Sequence, residues 1–329
     1  MRTALHRRGA AAAVLATLLA VLAIPGPAAH AANNGSFAVQ PTSATGSAIP
    51  RQYFVYSLPA GQVVHDSVTI TNLTDRTKHF LLYGADGFST ATDGALGLRS
   101  RTDPQQGVGA WIRISRADLT LLPKRHADVP FTMTVPDDAP SGDHVGGVVA
   151  LDTAIAPGSN AGVNIGVQQA IAARVYARVD GPIHAALKVD RVWLDRSHSA
   201  SVHYVLTNTG NVRLGPSADI SISGKLSGAT RTQTQRLAGD LLPGARAEYS
   251  LALKDRLPTV DYLTVRVTAS ADEASATGST TVVLLPWWVI VAAAALLLAL
   301  LVALFWLVRR RRARAERPSE DAEPESVPA

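Results

Sequence analysis

The sequence predicts an all-β protein of two tandem β-sandwiches, followed by one C-terminal transmembrane α-helix. Three observations support this fold class. Short runs that alternate apolar and polar residues recur between Gly, Pro, Asn and Asp turns, with almost no helical periodicity, as in antiparallel sandwiches. One strand-and-turn pattern occurs twice along the chain. Near the C-terminus, one uncharged apolar stretch is long enough to cross a bilayer.

Residues 1–31 have the order of a secretory signal peptide. Three arginines precede an apolar run from Gly9 to Ile24, and a small-residue stretch ending at Ala31 follows. A basic start, an apolar centre and an A-x-A site are the parts of such a signal. The apolar run is shorter than the roughly 20 residues that span a bilayer, which disfavours an N-terminal anchor. We predict export of the chain and cleavage after Ala31.

The strands are predicted from strict alternation, because successive side chains of a strand point to opposite faces. In each run one face is apolar and packs inward, while the other face is exposed to solvent. The alternating positions are Val64, Asp66, Val68 and Ile70; Val129, Phe131, Met133 and Val135; Val202, Tyr204 and Leu206; and Ala247, Tyr249, Leu251 and Leu253.

An internal echo predicts two related domains. "VTITNLTDRT" from Val68 breaks at Asn72, and "VHYVLTNTGNV" from Val202 breaks at Asn208; each is followed later by a Leu-Leu-Pro turn. Asparagine suits such turns because its side chain hydrogen-bonds the local backbone. The alternative is that two β domains share common turn chemistry by chance. We predict two immunoglobulin-like β-sandwiches, residues 36–180 and 181–284.

An insertion in the first domain, Ala85 to Trp111, has no counterpart in the second and is predicted to form a long surface loop or small hairpin. Long loops on rigid sandwiches often carry binding sites. The alternatives are that the loop only caps the sandwich, that its aspartates serve turns, and that its tryptophan fills the core. A flexible hairpin tip is also predicted at Ala156 to Gly166. The candidate ligand-binding residues are Tyr53, Tyr83, Asp86, Phe88, Asp93 and Trp111.

The composition excludes several classes of function. Without cysteine the chain has no disulfide, thiolate metal site or Cys nucleophile. Most of the formal net charge of +5 lies in the signal segment, and the exported part carries about +1, which argues against nucleic-acid binding. Motifs of secreted hydrolases such as G-x-S-x-G and H-E-x-x-H are missing. We predict no enzyme activity, no metal and no cofactor.

The C-terminal region predicts a single membrane span over residues 286–308. No charged residue occurs there, and six arginines follow within nine residues, which places that side in the cytoplasm. The ectodomain is then extracellular, and residues 309–329 form a basic, disordered cytoplasmic tail. Indoles and arginines gather where a bilayer meets water. The predicted membrane-interface residues are Trp287, Trp288, Trp306, Arg309 and Arg310.

Five stretches of the first domain form a recognisable set: "FAVQP" from Phe37, "QYFVYSLPAGQVVHDSVTITNLTD" from Gln52, "ADGFSTATDG" from Ala85, "LLPKRHADVPFTMTVP" from Leu121 and "APSGDHVGGVVA" from Ala139. With these stretches the domain resembles the peptidoglycan-binding domain of WxL-interacting proteins, surface proteins of Gram-positive bacteria. The resemblance implies a signal peptide, two immunoglobulin-like domains, a C-terminal transmembrane helix and a short basic tail. It also implies that the first domain binds peptidoglycan and that the second meets another surface protein.

We therefore predict a non-catalytic, membrane-anchored cell-surface protein. Its predicted partners are peptidoglycan, another cell-surface protein and the membrane, and not nucleic acid. One alternative is a chaperone or assembly subunit for surface structures, because tandem immunoglobulin-like domains also describe pilus chaperones. A second alternative is an accessory enzyme of cell-wall metabolism.

Overall fold

A computed structural model describes residues 32–43, 51–160, 163–197, 199–237 and 239–315 of the 329-residue chain. The predicted signal peptide lies outside the described residues, as does the tail beyond residue 315. The described chain consists of strands in four sheets, one short helical turn and one long C-terminal helix. The predicted all-β fold class with its apolar C-terminal helix is confirmed.

Two sheets build the first sandwich. Its elements are β1 Ala32–Asn33, β2 Phe37–Pro41, β3 Phe54–Leu58, β4 Val63–Asn72, β5 Lys78–Ser89, β6 Leu96–Leu98, the turn α1 Val108–Trp111, β7 Ile112–Ile114, β8 Asp118–Leu121, β9 His126–Thr134, β10 Gly142–Asn160 and β11 Val163–Val179. One sheet has the strand order β1-β2-β4-β9-β7; the other has the order β3-β11-β10-β5-β6, with β8 also paired to β5. All pairs are antiparallel except β3 with β11.

The other two sheets build the second sandwich. Its strands are β12 Leu187–Asp195, β13 Ser201–Asn208, β14 Ser217–Gly224, β15 Thr230–Arg236, β16 Arg246–Ala252, β17 Asp261–Ala271 and β18 Ala274–Leu284. The sheet orders are β12-β13-β16 and β15-β14-β17-β18, with all pairs antiparallel. Helix α2, Trp287–Ala315, begins three residues after the end of β18.

Each sandwich has its own core, formed by the inward positions of the alternating runs. In the first, Val68, Ile70 and Met133 have no exposed surface. In the second, Tyr204 and Leu206 are equally enclosed. These side chains belong to two separate clusters of buried residues, one for each sandwich. The predicted period of two therefore places the apolar face inward, because burial of apolar surface is the main favourable term in folding.

The repeated asparagines explain the internal echo. Asn72 has no exposed surface, and its Nδ2 donates to the carbonyl oxygens of Leu121 (3.2 Å) and Leu122 (3.1 Å) in the first Leu-Leu-Pro turn. Asn208 is also fully buried and donates to Leu241 of the second such turn, at 2.9 Å. In each domain, one asparagine amide thus joins the end of a central strand to the Leu-Leu-Pro turn of that domain. The echo is a shared hydrogen-bond arrangement as well as a shared sequence pattern.

Helix α2 is long and apolar enough to cross a membrane over Trp287–Arg311, and none of it is buried against the sandwiches. It continues through Ala315, into the segment predicted as a disordered tail. Arginine and alanine are both good helix formers, so the basic run extends the helix instead of ending it. All five predicted membrane-interface residues lie on this exposed helix.

Candidate functional site

A β-hairpin formed by the distal parts of β10 and β11 projects beyond the rest of its sheet. Strand β5 accompanies β10 only as far as Asp152, which pairs with Phe80. Beyond a bulge, Ile155 to Asn160 pair with Val163 to Gln168. Six residue pairs extend the hairpin by about 20 Å at the usual strand rise. We call residues 155–160 and 163–168 the arm.

Both edges of the arm are open in the part of the chain that the structure describes, because its two strands pair there only with each other. Two apolar side chains on it are exposed: Ile155 to 68% and Val167 to 40%. The sequence has no charged residue from Thr153 to Ala173. Natural edge strands usually carry charges or bulges that block pairing with other chains. The arm has no such charge along its whole length.

The base of the arm is held rigidly to the sandwich. Asp152 is 3% exposed and forms an ion pair with Lys78, the first residue of β5. Its Oδ1 also accepts the N–H of Ala154 at 3.1 Å, within the bulge. A buried carboxylate with two donors fixes the bulge, because it loses its hydration and needs these partners. The arm therefore leaves the sandwich in a defined direction.

The insertion from Ala85 to Trp111 is an ordered structure organised around Asp86. This carboxylate is 8% exposed and accepts the backbone N–H groups of Gln106 (2.5 Å), Gly107 (3.0 Å) and Gly109 (2.7 Å). Charged acceptors make strong hydrogen bonds to backbone donors. Asp86 therefore holds the end of the insertion and the turn α1.

The tip of the insertion contacts the second sandwich. The N–H of Glu248 on β16 donates to the carbonyl oxygen of Ala91 at 2.7 Å. Ser89 Oγ accepts the N–H of Leu242 at 3.1 Å. Asp93 forms the turn of the tip, where a hydrogen bond from Thr90 lowers its pKa. The insertion was predicted as a long surface loop or a small hairpin, and the structure contains the hairpin, since β6 pairs with the end of β5. Its bridge to the second domain, through Glu248 on β16 and Leu242, was not predicted.

The candidate aromatic residues divide into exposed and buried groups. Tyr53 is 44% exposed and Phe88 is 39% exposed. Tyr83 is half-buried, and this burial raises the pKa of its phenol. Trp111 is 7% exposed and packs its indole 4.8 Å from the ring of His144. Trp111 is thus a core residue, in accord with the alternative stated for it.

A cleft of about 490 Å³ separates the insertion from the second sandwich, and two candidate residues line it. Asp86 and Phe88 contribute from one wall, and residues 242–245 form the other. The other polar residues of the lining are Ser89, Arg99, Gln106, Asp143 and His144. Tyr53, Tyr83, Asp93 and Trp111 do not line the cleft. The structure therefore does not gather the six candidates into one site.

The domain junction depends on Asp143, which the sequence analysis did not select. Its carboxylate accepts Arg178 Nε at 2.6 Å and Nη2 at 2.9 Å, and also the backbone N–H of Arg213 in the second sandwich at 3.0 Å. Burial favours the neutral acid, but these hydrogen bonds outweigh it and lower the pKa of Asp143. The Arg213 guanidinium stacks 4.3 Å from the ring centre of Tyr176. Asp143 thus links the two domains directly.

The junction also sets which end of the second sandwich points away from the first. Asn211, just after β13, donates to the carbonyl oxygens of Ser141 and Pro182, both at 2.9 Å. Strand β13 begins at Ser201, opposite Ala252 at the end of β16. Ala271 and Ala274, where β17 turns into β18, pack with Val212 and Leu214 next to the junction. Leu284, at the other end of β18, therefore lies far from the junction, and from it the chain continues into α2.

The arm has a recognisable sign in the sequence, whereas the junction has none. The hairpin tip was predicted at Ala156 to Gly166, but not that it projects beyond the sheet. The absence of charge from Thr153 to Ala173 was visible in the sequence and is unusual for exposed strands. No comparable sign marked Asp143, because its partners lie 35 and 70 residues away.

No protein-family model and no curated protein matches the chain. Solved structures with loosely similar folds include the class 5 fimbriae chaperone CfaA, with 12% identity and a TM-score of 0.34 over 76% of this chain and 99% of that one. The CupB2 chaperone of Pseudomonas aeruginosa has 10% identity and a TM-score of 0.30 over 70% and 95%. The Salmonella enterica complex of the SafA pilin with the SafB chaperone has 9% identity and a TM-score of 0.32 over 77% and 99%. Resemblance to WxL-interacting proteins stays a prediction.

Proposed function

We propose that the protein is a non-catalytic, membrane-anchored adaptor of the cell surface that binds another surface protein through the arm. Helix α2 anchors the chain, with the sandwiches outside the cell and the arginine-rich end in the cytoplasm. The observation that carries the proposal is the arm: a rigidly based hairpin with two open, uncharged edges. An extended segment of a partner adds to such an edge as a further strand.

The arm has the two properties that strand addition requires. Its unpaired N–H and C=O groups supply the affinity, because backbone groups of a second strand complete them. Its exposed apolar side chains, Ile155 and Val167, supply pockets or contacts that select the partner. A chaperone or assembly subunit for surface structures would bind its client by the same strand addition and release it later. The adaptor and the assembly role therefore share one binding mode and differ in the lifetime of the complex.

A charge-insertion experiment tests this function. The double variant Ile155→Lys, Val167→Lys would place two charges in the contact. It should weaken partner binding about tenfold or more, because each ammonium group must lose its hydration on binding. Proteins captured from the host surface are compared between wild type, the double variant and a Leu122→Lys control, since Leu122 is 61% exposed and lies off the arm. Hydrogen exchange should then show protected arm amides in the captured complex. Equal capture by all three proteins, or unprotected arm amides, would refute the proposal.

Peptidoglycan binding is a second candidate, favoured by the two exposed aromatic faces of Tyr53 and Phe88 in the first sandwich. Aromatic rings stack on the apolar faces of sugars, and a membrane anchor beside a dense wall raises the effective concentration of weak sites. Removal of the whole insertion is a poor test, because it also breaks the bridge to the second sandwich. Point variants avoid this. Tyr53→Ala and Phe88→Ala should each reduce co-sedimentation with purified wall sacculi; unchanged sedimentation would exclude these two rings, and no sedimentation of the wild type would exclude wall binding.

A further inference from the structure

The end of the second sandwich nearest helix α2 carries a compact group of exposed apolar residues. Strand β18 ends at Leu284, which is buried in the core, and the helix begins at Trp287. The linker is only Leu285 and Pro286, so it spans at most about 7 Å. If α2 is in a bilayer, this end of the sandwich cannot move away from the membrane surface.

The sheet register brings the exposed residues together. Tyr262, the second residue of β17, pairs with Val283 of β18, and these side chains are 43% and 59% exposed. The neighbouring turn after β14 presents Leu226, which is 71% exposed. Asp261, 1% exposed, accepts the N–H of Leu226 at 2.9 Å and thereby fixes the turn. The apolar side chains are thus held outward by a buried acceptor.

Three cations, Lys225, Lys254 and Arg256, lie at this end, and the exposed Asp255 of the same loop is paired with Arg231 at 3.7 Å. The Nζ of Lys225 lies 5.8 Å from the ring centre of Tyr262. Lys254 and Arg256 are exposed in the loop between β16 and β17, which ends at the same strand end. Apolar and aromatic residues mixed with lysine and arginine are the composition that lies in the headgroup region of a bilayer. The surface of an anionic membrane adds electrostatic attraction for each such cation.

We propose that this end of the second sandwich rests on the outer surface of the membrane, with Leu226, Val260, Tyr262, Val283 and Leu285 in the headgroup region and Lys225, Lys254 and Arg256 among lipid phosphates. We call these residues the membrane seat. The proposal rests on the anchoring by α2 stated above. Its partner is an anionic lipid surface, selected by the short linker and by the charges. The seat fixes the tilt of the ectodomain and therefore the direction in which the arm points.

Fluorescence quenching in lipid nanodiscs tests the seat. The chain has no cysteine, so a single cysteine at Leu226 can carry an environment-sensitive label without other changes. The matched control is Glu273→Cys, exposed in the turn at the opposite end of β17 and about 33 Å away at the usual strand rise. The full chain is placed in nanodiscs of phosphatidylcholine and phosphatidylglycerol that contain doxyl-labelled lipid.

We expect the label at position 226 to shift to the blue and to be quenched several-fold more strongly than the label at 273. Equal quenching at the two positions, in protein that co-elutes with the nanodiscs, would overturn the seat and leave the anchoring intact. Failure of the chain to co-elute would overturn both. A Lys225→Glu, Lys254→Glu variant with the label at Val260 supplies a second readout; its quenching should fall below that of the label at Val260 alone, and unchanged quenching would remove the role of the charges.

Discussion

Replacement of Asn208 by alanine should destabilise the second sandwich strongly. The buried amide makes three hydrogen bonds: Nδ2 donates to Val212 (2.7 Å) and Leu241 (2.9 Å), and Oδ1 accepts the N–H of Gly210 (3.0 Å). Alanine removes all three and leaves buried backbone groups without partners. Because each such bond contributes about 0.5–1.5 kcal/mol, the free energy of unfolding should fall by about 2–4 kcal/mol.

The assay is thermal and urea unfolding of residues 32–284. A domain of about 100 residues loses roughly 4–8 °C of Tm for each kcal/mol, so the variant should melt roughly 8–30 °C lower. The isosteric Asn208→Asp variant should be at least as unstable, because a carboxylate would face two carbonyl oxygens. Thr209→Ala, at an exposed neighbouring position, is the control and should change the free energy little.

A loss below about 0.5 kcal/mol for Asn208→Ala would refute the reasoning, since it would mean that the Leu-Leu-Pro turn needs no anchor. An aspartate variant as stable as the wild type would have the same meaning. Equal losses of stability in the Asn208 and Thr209 variants would show that this turn is sensitive to any substitution. The loss would then not come from the hydrogen bonds of the Asn208 amide.

Four further predictions follow from the junction and the anchor. Gly142→Ala should open the junction, because Gly142 has a φ of +117° and an added Cβ would lie 2.1 Å from a carbonyl oxygen of the second sandwich; small-angle scattering should show a larger maximum dimension, and an unchanged curve would contradict this. Asp143 has a pKa below its ordinary value of 3.8, because the hydrogen bonds from Arg178 outweigh its burial. Its stabilisation is present above that ordinary value and disappears as the pH falls through the lower folded value, so melts below about pH 4 should show a loss that Asp143→Asn lacks. A reporter fused after Ala329 should be active only in the cytoplasm, and external activity would reverse the proposed orientation. Residues 183–284 expressed alone should give a β-type circular dichroism spectrum and a cooperative melt; a non-cooperative melt would show that the first sandwich is needed.

Much of the fold was predictable because its determinants are local. Alternation assigned Val68, Ile70 and Tyr204 to the core, since a strand places every second side chain on one face. The twin Thr-Asn breaks and Leu-Leu-Pro turns predicted related domains, and the hydrogen bonds of Asn72 and Asn208 give that echo a physical basis. What these asparagines bind could not be predicted, because their acceptors lie 49 and 33 residues further along the chain.

The candidate site was less predictable, because residue type does not report burial. Asp86 and Trp111 are the kinds of residue that bind ligands at surfaces, yet one holds backbone amides and the other packs in the core. The insertion was identified correctly as a special segment, while its contact with Glu248 and Leu242 arises only when two domains meet. Tyr53 and Phe88 remain as exposed candidates for a ligand.

The sequence by itself determined the all-β class, the apolar face of each strand and the apolar C-terminal helix, because hydrophobic periodicity and length act over a few residues at a time. The tertiary structure alone decided where the hairpin outruns its sheet, how Asp143 joins the domains, and that Leu226 and Tyr262 lie beside the start of the helix. These features depend on register and on contacts between residues that are distant in the chain. Such contacts form only when the whole core has packed, and a local pattern carries no record of them.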